Sequence, residues 1–374
     1  MAEYLTNTTD LTKVASAIRE KGGTSDLLVY PDGFVTAIQA IQTGTELKII
    51  VSVTSGATVT ATKGSKVVSG TSVNGTCTLI VPEAGTWSVK ATLSGQTSNT
   101  KSVTFTDSYD VTLAFVSPTL NDNDWAKIRE VSDKGDGANY WSIGDRKEIT
   151  LNGTVGHLTL SNYTTYAFII GFNHNADLEG SNRIHFQLAK TALSGGTDVA
   201  LCDGYYGSND SINGFEMNHN NGSWGGWKSS HMRTEICGTS LTSYSGTILA
   251  VIPAALRAAI KPVTKYTNNS GNNSSASAVT ATTDYFFPLS EYEVLGTSTN
   301  SNGYERDKQV QYSYYSAGNS KIKYNHGAIS TAIFYWTRSP SVNAEACFMV
   351  VMSNGASLNY KADISSGFAP GFCV

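Results

Sequence analysis

The sequence predicts a multidomain protein with a short α-helical N-terminal module, a β-sandwich and a large α+β C-terminal domain. Three observations predict this order. Apolar residues first recur at helical spacing, and short β-prone runs separated by Gly, Asn and Pro turns follow. Strands and isolated helices are then mixed without the βαβ alternation of a parallel sheet. We place the domains at 1–43, 44–118 and 119–374.

The composition excludes several classes of function. Only 15% of the 374 residues are charged, against about 25% in an average globular protein. Ser, Thr, Asn, Gly and Tyr must therefore supply most of the polar surface, as they do in adaptable binding surfaces. The net charge is -4 without a basic patch, which argues against nucleic acid as a partner. No apolar run reaches about eighteen residues and no signal-peptide pattern is present, so we expect no membrane insertion and synthesis in a cytoplasm.

The N-terminal module is predicted to hold two amphipathic helices. The first has Asp10 as its N-cap and the following residues at helical spacing: Leu11, Val14, Ala15 and Ile18. The second begins near 31–33 and carries four apolar residues on one side: Phe34, Val35, Ile38 and Ile41. Two short helices cannot bury these faces alone, so we expect an attachment or oligomerisation module.

The second domain is predicted to be a small β-sandwich of the immunoglobulin-like kind, because short β-prone runs recur at regular spacing. These runs are 47–53, 58–62, 66–68, 76–81, 86–92, 101–105 and 109–115. Trp87 allows two interpretations, a carbohydrate platform or a core or edge residue, and we favour the second.

The third domain is predicted to be α+β. A helix at 125–132 is capped by Asn123 or Asp124, and further helices lie at 230–236 and 253–260. Strands are predicted within 140–151 and at 166–172 and 184–188. A low-complexity loop occupies 268–277.

The last stretch, 334–374, alternates apolar residues with polar ones that have no hydrophobic reason to be there. A rigid sheet that displays a chemically mixed surface indicates ligand recognition. We predict that the ligand-binding residues of this stretch are Tyr335, Thr337, Ser341, Asn343, Glu345, Ser357, Asn359, Tyr360, Lys361 and Asp363. Trp224 and Trp227 are secondary candidates, with closure of the core as the alternative interpretation.

No pattern in the sequence predicts catalysis, a cofactor or a metal. None of the six histidines has the spacing of a metal motif. A site at His174 and His185 is conceivable, but we favour structural histidines. The run 121–124 suits calcium but lacks the Gly and Glu of an EF-hand loop, so helix capping explains it better. The five cysteines have no close pair, and we expect reduced, buried thiols, including Cys347 and Cys373.

Two N-terminal segments resemble phage proteins. The stretch AIREKGGTSDLLVYPDGFVTAIQAI, residues 17–41, is similar to a module of tail and baseplate proteins from phages and prophages of Gram-positive gut bacteria. The stretch PEAGTWSVKAT, residues 82–92, resembles spacer domains of phage tail and bacterial surface proteins.

The third domain resembles a C-type-lectin-like fold found in phage and prophage proteins. The resemblance lies in NYWSIGDRKEITLNG (139–153), IIGFNHN (169–175), IHFQL (184–188), GGWKSSHMR (225–233), FPLSEYEVLG (287–296), YWTRSP (335–340) and GFAPGFCV (367–374). In some relatives the end of this fold is the variable segment of a diversity-generating retroelement. Sugar-binding C-type lectins usually carry Glu-Pro-Asn or Gln-Pro-Asp; this sequence has neither, so calcium-dependent sugar binding does not carry over.

These resemblances imply a phage tail-tip adhesin, located in the virion and made in the host bacterial cytoplasm. The implied partners are a bacterial cell-surface protein or glycan, other phage tail proteins and, as a homotrimer, further copies of the chain. The alternative is a structural baseplate or virion decoration protein that contacts other phage proteins. We expect no enzymatic activity.

Overall fold

The computed structural model describes residues 8–22, 25, 27–40, 46–209 and 214–374. The chain divides into two compact units, Met1–Phe115 and Val116–Val374. It is a multidomain, mostly β-sheet protein with few helices. A short helical segment lies at the N-terminus, as predicted. None of the described helices is long and apolar enough to cross a membrane.

The N-terminal helices are α1, Thr8–Gly22, and α2, Asp32–Ala40. Ala15, Ile18 and Phe34 form their shared core, in agreement with the helical spacing. Asp10 lies within the first turn of α1, so its prediction as the N-cap is wrong. Its carboxylate interacts favourably with the positive end of the helix dipole. Ile41, predicted to lie on α2, is outside the described residues.

The remainder of the first unit consists of eight strands in two sheets. They are β1 (Lys48–Ser52), β2 (Thr58–Lys63), β3 (Lys66–Thr71), β4 (Thr76–Ile80), β5 (Gly85–Leu93), β6 (Gln96–Thr97), β7 (Lys101–Phe105) and β8 (Tyr109–Thr112). One sheet has the order β4-β1-β8, and the other joins β3, β2 and β5 with β6 and β7. Trp87 is 0% exposed, and its indole N–H donates to the Glu83 carbonyl at 3.1 Å. The core interpretation of Trp87 is therefore confirmed.

The second unit mixes short helices with thirteen strands among its described residues. The helices are α3 (Trp125–Asp133), α4 (Gly137–Tyr140), α5 (Ala176–Glu179), a π-helix (Met232–Cys237), α6 (Ile248–Val251), α7 (Ala254–Ala259), α8 (Glu291–Leu295) and α9 (Ser313–Ser316). Single 3₁₀ turns lie at Leu120–Asp122, Trp227–Ser229, Ala276–Ala278 and Gly303–Asp307. The strands are β9 (Arg146–Val155), β10 (Leu158–Phe172), β11 (Ile184–Lys190), β12 (Val199–Ala200), β13 (Val263–Asn268), β14 (Val279–Asp284), β15 (Phe286–Pro288), β16 (Lys323–Asn325), β17 (Ala328–Ile333), β18 (Tyr335–Pro340), β19 (Cys347–Val351), β20 (Ser357–Lys361) and β21 (Pro370–Cys373).

Two local predictions in this unit have different outcomes. Asp124 caps α3 by accepting from the Lys127 N–H at 2.6 Å, which confirms the capping interpretation of the 121–124 run. The strand predicted to begin at Tyr140 is wrong, because Tyr140 ends α4. The next residue, Trp141, is buried and donates to the Ser117 carbonyl at 3.0 Å.

The C-terminal strand lies inside the main sheet. The order of this sheet is β15-β21-β11-β10-β9, so β21 pairs with both β15 and β11. Phe372 of β21 stacks on Phe186 and Phe286, with ring centroids 5.3 and 5.0 Å apart. The end of the chain is therefore a central part of the core.

A second sheet, β18-β19-β20, carries the predicted recognition stretch. All six residues of β18 are buried, whereas β20 is partly exposed. Arg338 of β18 donates from Nη2 to Glu293 Oε1 at 2.8 Å, and Lys265 Nζ donates to the same oxygen at 2.9 Å. This buried ion cluster connects β18, α8 and β13.

Candidate functional site

Several residues predicted to bind ligand lie in the interior. Tyr335, Thr337 and Ser341 are buried. The Tyr335 hydroxyl donates to the Lys321 carbonyl and the Thr337 hydroxyl to the Met349 carbonyl, both at 2.9 Å. The prediction that these residues face outward is wrong. Every residue of β18, which contains Tyr335 and Thr337, is buried, and both of these hydroxyls bond to backbone carbonyls.

Ser341 and Asp363 are also structural. The Ser341 hydroxyl accepts from the Asn343 and Ala344 N–H groups, each at 3.1 Å, and so shapes the loop after β18. Asp363 is buried, so its prediction as a surface residue is wrong as well.

Trp227 closes the core, as its alternative interpretation predicted. It is fully buried, and its indole N–H donates to Asp284 Oδ2 at 3.0 Å. It therefore cannot contact a ligand at the surface.

The other predicted residues are accessible to solvent to different degrees. Asn343, Glu345 and Lys361 are exposed, whereas Ser357, Asn359 and Tyr360 are half-buried. Asn343 Nδ2 donates to Asn300 Oδ1 at 2.8 Å, and Ser357 donates to Glu291 Oε1. The Tyr360 ring packs against Trp336 at 5.7 Å. These contacts hold the polar rim in place.

Trp224 is the most exposed aromatic side chain of the predicted set, at 62%. Its indole N–H donates to Glu345 Oε1 at 3.1 Å, and the Ser223 hydroxyl donates to the Glu345 carbonyl at 2.9 Å. The structure thus brings together two predicted residues that are 121 positions apart. We call the exposed residues Trp224, Asn343 and Glu345 the Trp224–Glu345 surface.

Gly222 is required for the position of the Trp224 ring. A Cβ atom at residue 222 would overlap the six-membered part of this ring. Because only glycine leaves that space free, the turn from Gly222 to Gly226 holds the indole against the loop after β18.

An open pocket of about 320 Å³ lies beside Trp224. Its lining is mostly polar and consists of Asn218, His219, Asn220, Gly222, Trp224, Ser229, His231, Thr234 and Glu235. Glu216, which is fully buried, lies behind this lining and its Oε1 is 2.7 Å from His219 Nδ1. The pocket therefore joins an exposed aromatic ring to a histidine–carboxylate cluster.

Glu216, His219 and His231 could hold a metal ion. Each offers one ligand atom, and these atoms lie within 4.8 Å of one another. The two imidazole centroids are 4.0 Å apart. Burial and the neighbouring His219 lower the pKa of His231 to about 4, so this ring is neutral near pH 7.

No motif in the sequence predicts this cluster, because its two histidines do not have the spacing of a metal motif. Glu216 and His219 are three residues apart in the sequence. His231 lies immediately before the π-helix, as its N-cap. The fold alone places it opposite His219. The available signal was the Glu-Met-Asn-His run at 216–219.

His174 and His185, for which we favour a structural role, are both buried in the core. His174 stacks on Tyr312 with centroids 3.7 Å apart, and burial lowers its pKa to about 3. His185 Nδ1 lies 3.1 Å from the Tyr312 hydroxyl. His174 also meets Glu179 and Glu293 in a second potential metal group. Lys265 and Arg338 already supply positive charge to those carboxylates, so the group is a compensated ion cluster.

The five cysteines are free thiols, in agreement with the sequence analysis. Cys373 is buried with Sγ 3.3 Å from His185 Nδ1, and burial raises the pKa of its thiol to about 12. Cys347 lies in a different sheet and is only partly buried, so the prediction of a buried thiol is wrong for this residue.

A comparison with protein families matches the part of the chain that contains the pocket. Residues 211–374 are similar to a family described as "Domain of unknown function (DUF6273)". No curated protein and no solved structure matches the chain. The matched region contains Trp224, Glu345 and all three residues of the histidine–carboxylate cluster.

Proposed function

We propose that the protein is a phage tail-tip adhesin whose C-terminal unit recognises a ligand on the bacterial surface. The observation that carries the recognition is the exposed Trp224 ring, which is hydrogen-bonded to Glu345 beside an open pocket. The assignment to a phage tail rests on the sequence resemblances. In this proposal the C-terminal unit has a C-type-lectin-like fold, and the two-sheet domain is an immunoglobulin-like spacer.

The chemistry of the Trp224–Glu345 surface supports recognition. A large exposed aromatic ring gains free energy when a ligand covers it, and tryptophan is enriched among the residues that dominate binding interfaces. Glu345 adds a carboxylate in contact with the ring, and the exposed Asn343 adds an amide two residues earlier in the same loop. Such a surface suits a glycan or protein ligand that presents both an apolar face and hydrogen-bond donors.

The proposal includes diversification of this segment by a retroelement. The polar side chains of β18 are buried and hydrogen-bonded, whereas Asn343, Glu345 and Lys361 are exposed. Only the exposed positions can vary without a cost in core packing. A near-copy of the coding sequence for 336–373 that differs at adenines, next to a reverse transcriptase gene, would support this part, and its absence would refute it.

Whole-cell adsorption tests the adhesin proposal. Labelled full-length protein and the Trp224→Ala variant are titrated onto a panel of Gram-positive gut bacteria, with bound fluorescence measured by cytometry. We expect the substitution to weaken adsorption by at least about tenfold, the effect of losing more than about 1.4 kcal/mol at an aromatic anchor. Its unfolding midpoint should not change, because the ring is mostly exposed.

Leu193→Ala is the matched control. Leu193 is an exposed apolar side chain at a separate pocket of the same unit, so its removal should leave adsorption unchanged. Equal adsorption of the wild type and Trp224→Ala would remove the site assignment. No adsorption to any bacterium, together with stable incorporation into virions, would favour the structural baseplate or decoration protein instead.

A further inference from the structure

We propose that Glu216, His219 and His231 bind a divalent transition-metal cation of the Zn²⁺ type in the pocket beside Trp224. This proposal concerns metal binding by the C-terminal unit and does not depend on the adhesin function. It arises from the position of the two imidazoles, from one buried nitrogen atom and from the ligand chemistry of the set.

The distances suit one small cation. Tetrahedral Zn²⁺ with bonds of about 2.0–2.1 Å places its ligand atoms roughly 3.3 Å apart. The three available atoms already lie within 4.8 Å of one another. The His219 side chain is 41% exposed, so its ring has room to move towards an ion.

His231 presents the strongest sign of a ligand. Its Nε2 lies 3.3 Å from the Gly214 carbonyl oxygen and donates to it in the neutral ring. Its Nδ1 is buried and has no hydrogen-bond partner among the described residues. Histidines that bind metals usually donate their other ring N–H to a carbonyl or carboxylate, which fixes the tautomer and aims the lone pair at the ion. His231 has this arrangement before any ion binds.

Glu216 supplies the third ligand of the set from the interior. Its carboxylate is fully buried, and one of its oxygen atoms lies within 4.8 Å of a ligand atom of each histidine. His219 Nδ1 is 2.7 Å from Glu216 Oε1, so the carboxylate already meets one imidazole of the set. The alternative is a simple ion pair between Glu216 and His219, which the titration separates from a metal site.

The donor set selects the class of metal. Two imidazoles and one carboxylate suit Zn²⁺ and other first-row transition ions, whereas Ca²⁺ and Mg²⁺ prefer sets of oxygen ligands. Three protein ligands would leave a fourth position open. Both histidines line the same pocket as Asn218, Ser229 and Trp224. A water molecule or an oxygen atom of a bound ligand can occupy that position.

The test uses full-length, untagged protein that has been treated with a chelator and dialysed. Isothermal titration with Zn²⁺ should give one site per chain, and titration with Ca²⁺ should give none. Zn²⁺ should also raise the unfolding temperature of the C-terminal unit, because an ion that binds only the folded state stabilises it. Bound Co²⁺ provides an independent readout through its visible absorption spectrum.

Three variants locate the site. His219→Ala removes a partly exposed ligand and should fold, and Glu216→Gln preserves the side-chain volume. Each should weaken Zn²⁺ binding by more than about tenfold, because changing a residue that only hydrogen-bonds to a metal ligand already lowers metal affinity by about tenfold or more. His157→Ala is the matched control, since His157 is an exposed histidine outside the cluster, and it should bind Zn²⁺ like the wild type.

Three outcomes would overturn the proposal. They are a wild-type protein that binds no Zn²⁺, equal Zn²⁺ binding by His219→Ala and the wild type, and loss of binding in His157→Ala alone. The simple ion pair predicts the first of these. Metal binding without adsorption to bacteria would support the metal site and leave the adhesin proposal refuted, so the two failures are distinguishable.

Discussion

At the scale of single residues, the C-terminal unit contains buried charges that are in direct contact with an opposite charge, and a buried lysine, Lys323, that is not. Arg338 and Lys265 each contact Glu293 directly. Lys323 is also fully buried, but its Nζ lies 4.0 Å from Asp198 Oδ2, which Lys190 contacts much more closely. Lys323 Nζ has no hydrogen-bond partner among the described residues. It faces the rings of Phe168 and Tyr335 at 5.4 and 5.5 Å.

Replacement of Lys323 by methionine should therefore stabilise the protein. Burial lowers the pKa of Lys323 from 10.5 to about 8. Between pH 8 and 10.5 the unfolded state holds this proton and the folded state does not, so the free energy of unfolding rises with pH across this range. Below pH 8 the buried lysine is charged and its destabilising effect is complete. Lys323→Met should increase the free energy of unfolding by about 3 kcal/mol at pH 7. This advantage should disappear above about pH 10.5.

Urea unfolding at several pH values measures this effect. Tryptophan fluorescence reports mainly on the C-terminal unit, which contains five of the six tryptophans. The exposed Lys228→Met is the control and should change stability little at any pH. A destabilised Lys323→Met variant at pH 7 would show that the attraction to Asp198 outweighs desolvation.

At the scale of elements, the N-terminal helices are only partly buried. Their shared core is small, and large apolar side chains of the helices and of the segment between them remain at least 48% exposed: Val14, Leu27, Val29, Tyr30, Val35 and Ile38. Exposed apolar surface that forms a patch marks an interaction site. As part of the proposed function, we assign these side chains to contacts between three copies of the chain.

The double variant Val14→Ser/Ile38→Ser should be a monomer instead of the proposed trimer. The change removes apolar area that association would bury and leaves the core residues Ala15, Ile18 and Phe34 in place. Light scattering after size-exclusion chromatography should give three times the chain mass of 39.8 kDa for the wild type and one chain for the variant. Val67→Ser, an exposed change in β3, should remain trimeric. A monomeric wild type would refute the trimer.

The sequence predicted elements better than it predicted surfaces. The spacing of Leu11 to Ile18 was sufficient for α1, because helix periodicity is a local property. The outward direction of Tyr335 and Thr337 was wrong, because every residue of β18 is buried. His219 and His231 meet only in the folded chain, so no local pattern could reveal the pair.

At the scale of the whole molecule, the C-terminal unit is a rigid scaffold with a small polar rim. The last strand, β21, lies inside the main sheet, and the Arg338–Glu293 contact joins β18 to α8. Rigid support reduces the entropy that binding must overcome. The Trp224–Glu345 surface, held by Ser223 and Gly222, is the part of this scaffold that we propose meets the ligand.

A double-mutant cycle on whole-cell adsorption tests this central claim most directly. Trp224→Ala, Glu345→Ala and the double variant are titrated onto the bacterium that the wild type binds. The indole and the carboxylate are hydrogen-bonded to each other, so their effects should be coupled, and the double variant should lose less than the two single losses combined. Additive losses, or full adsorption by the double variant, would contradict a single Trp224–Glu345 recognition surface.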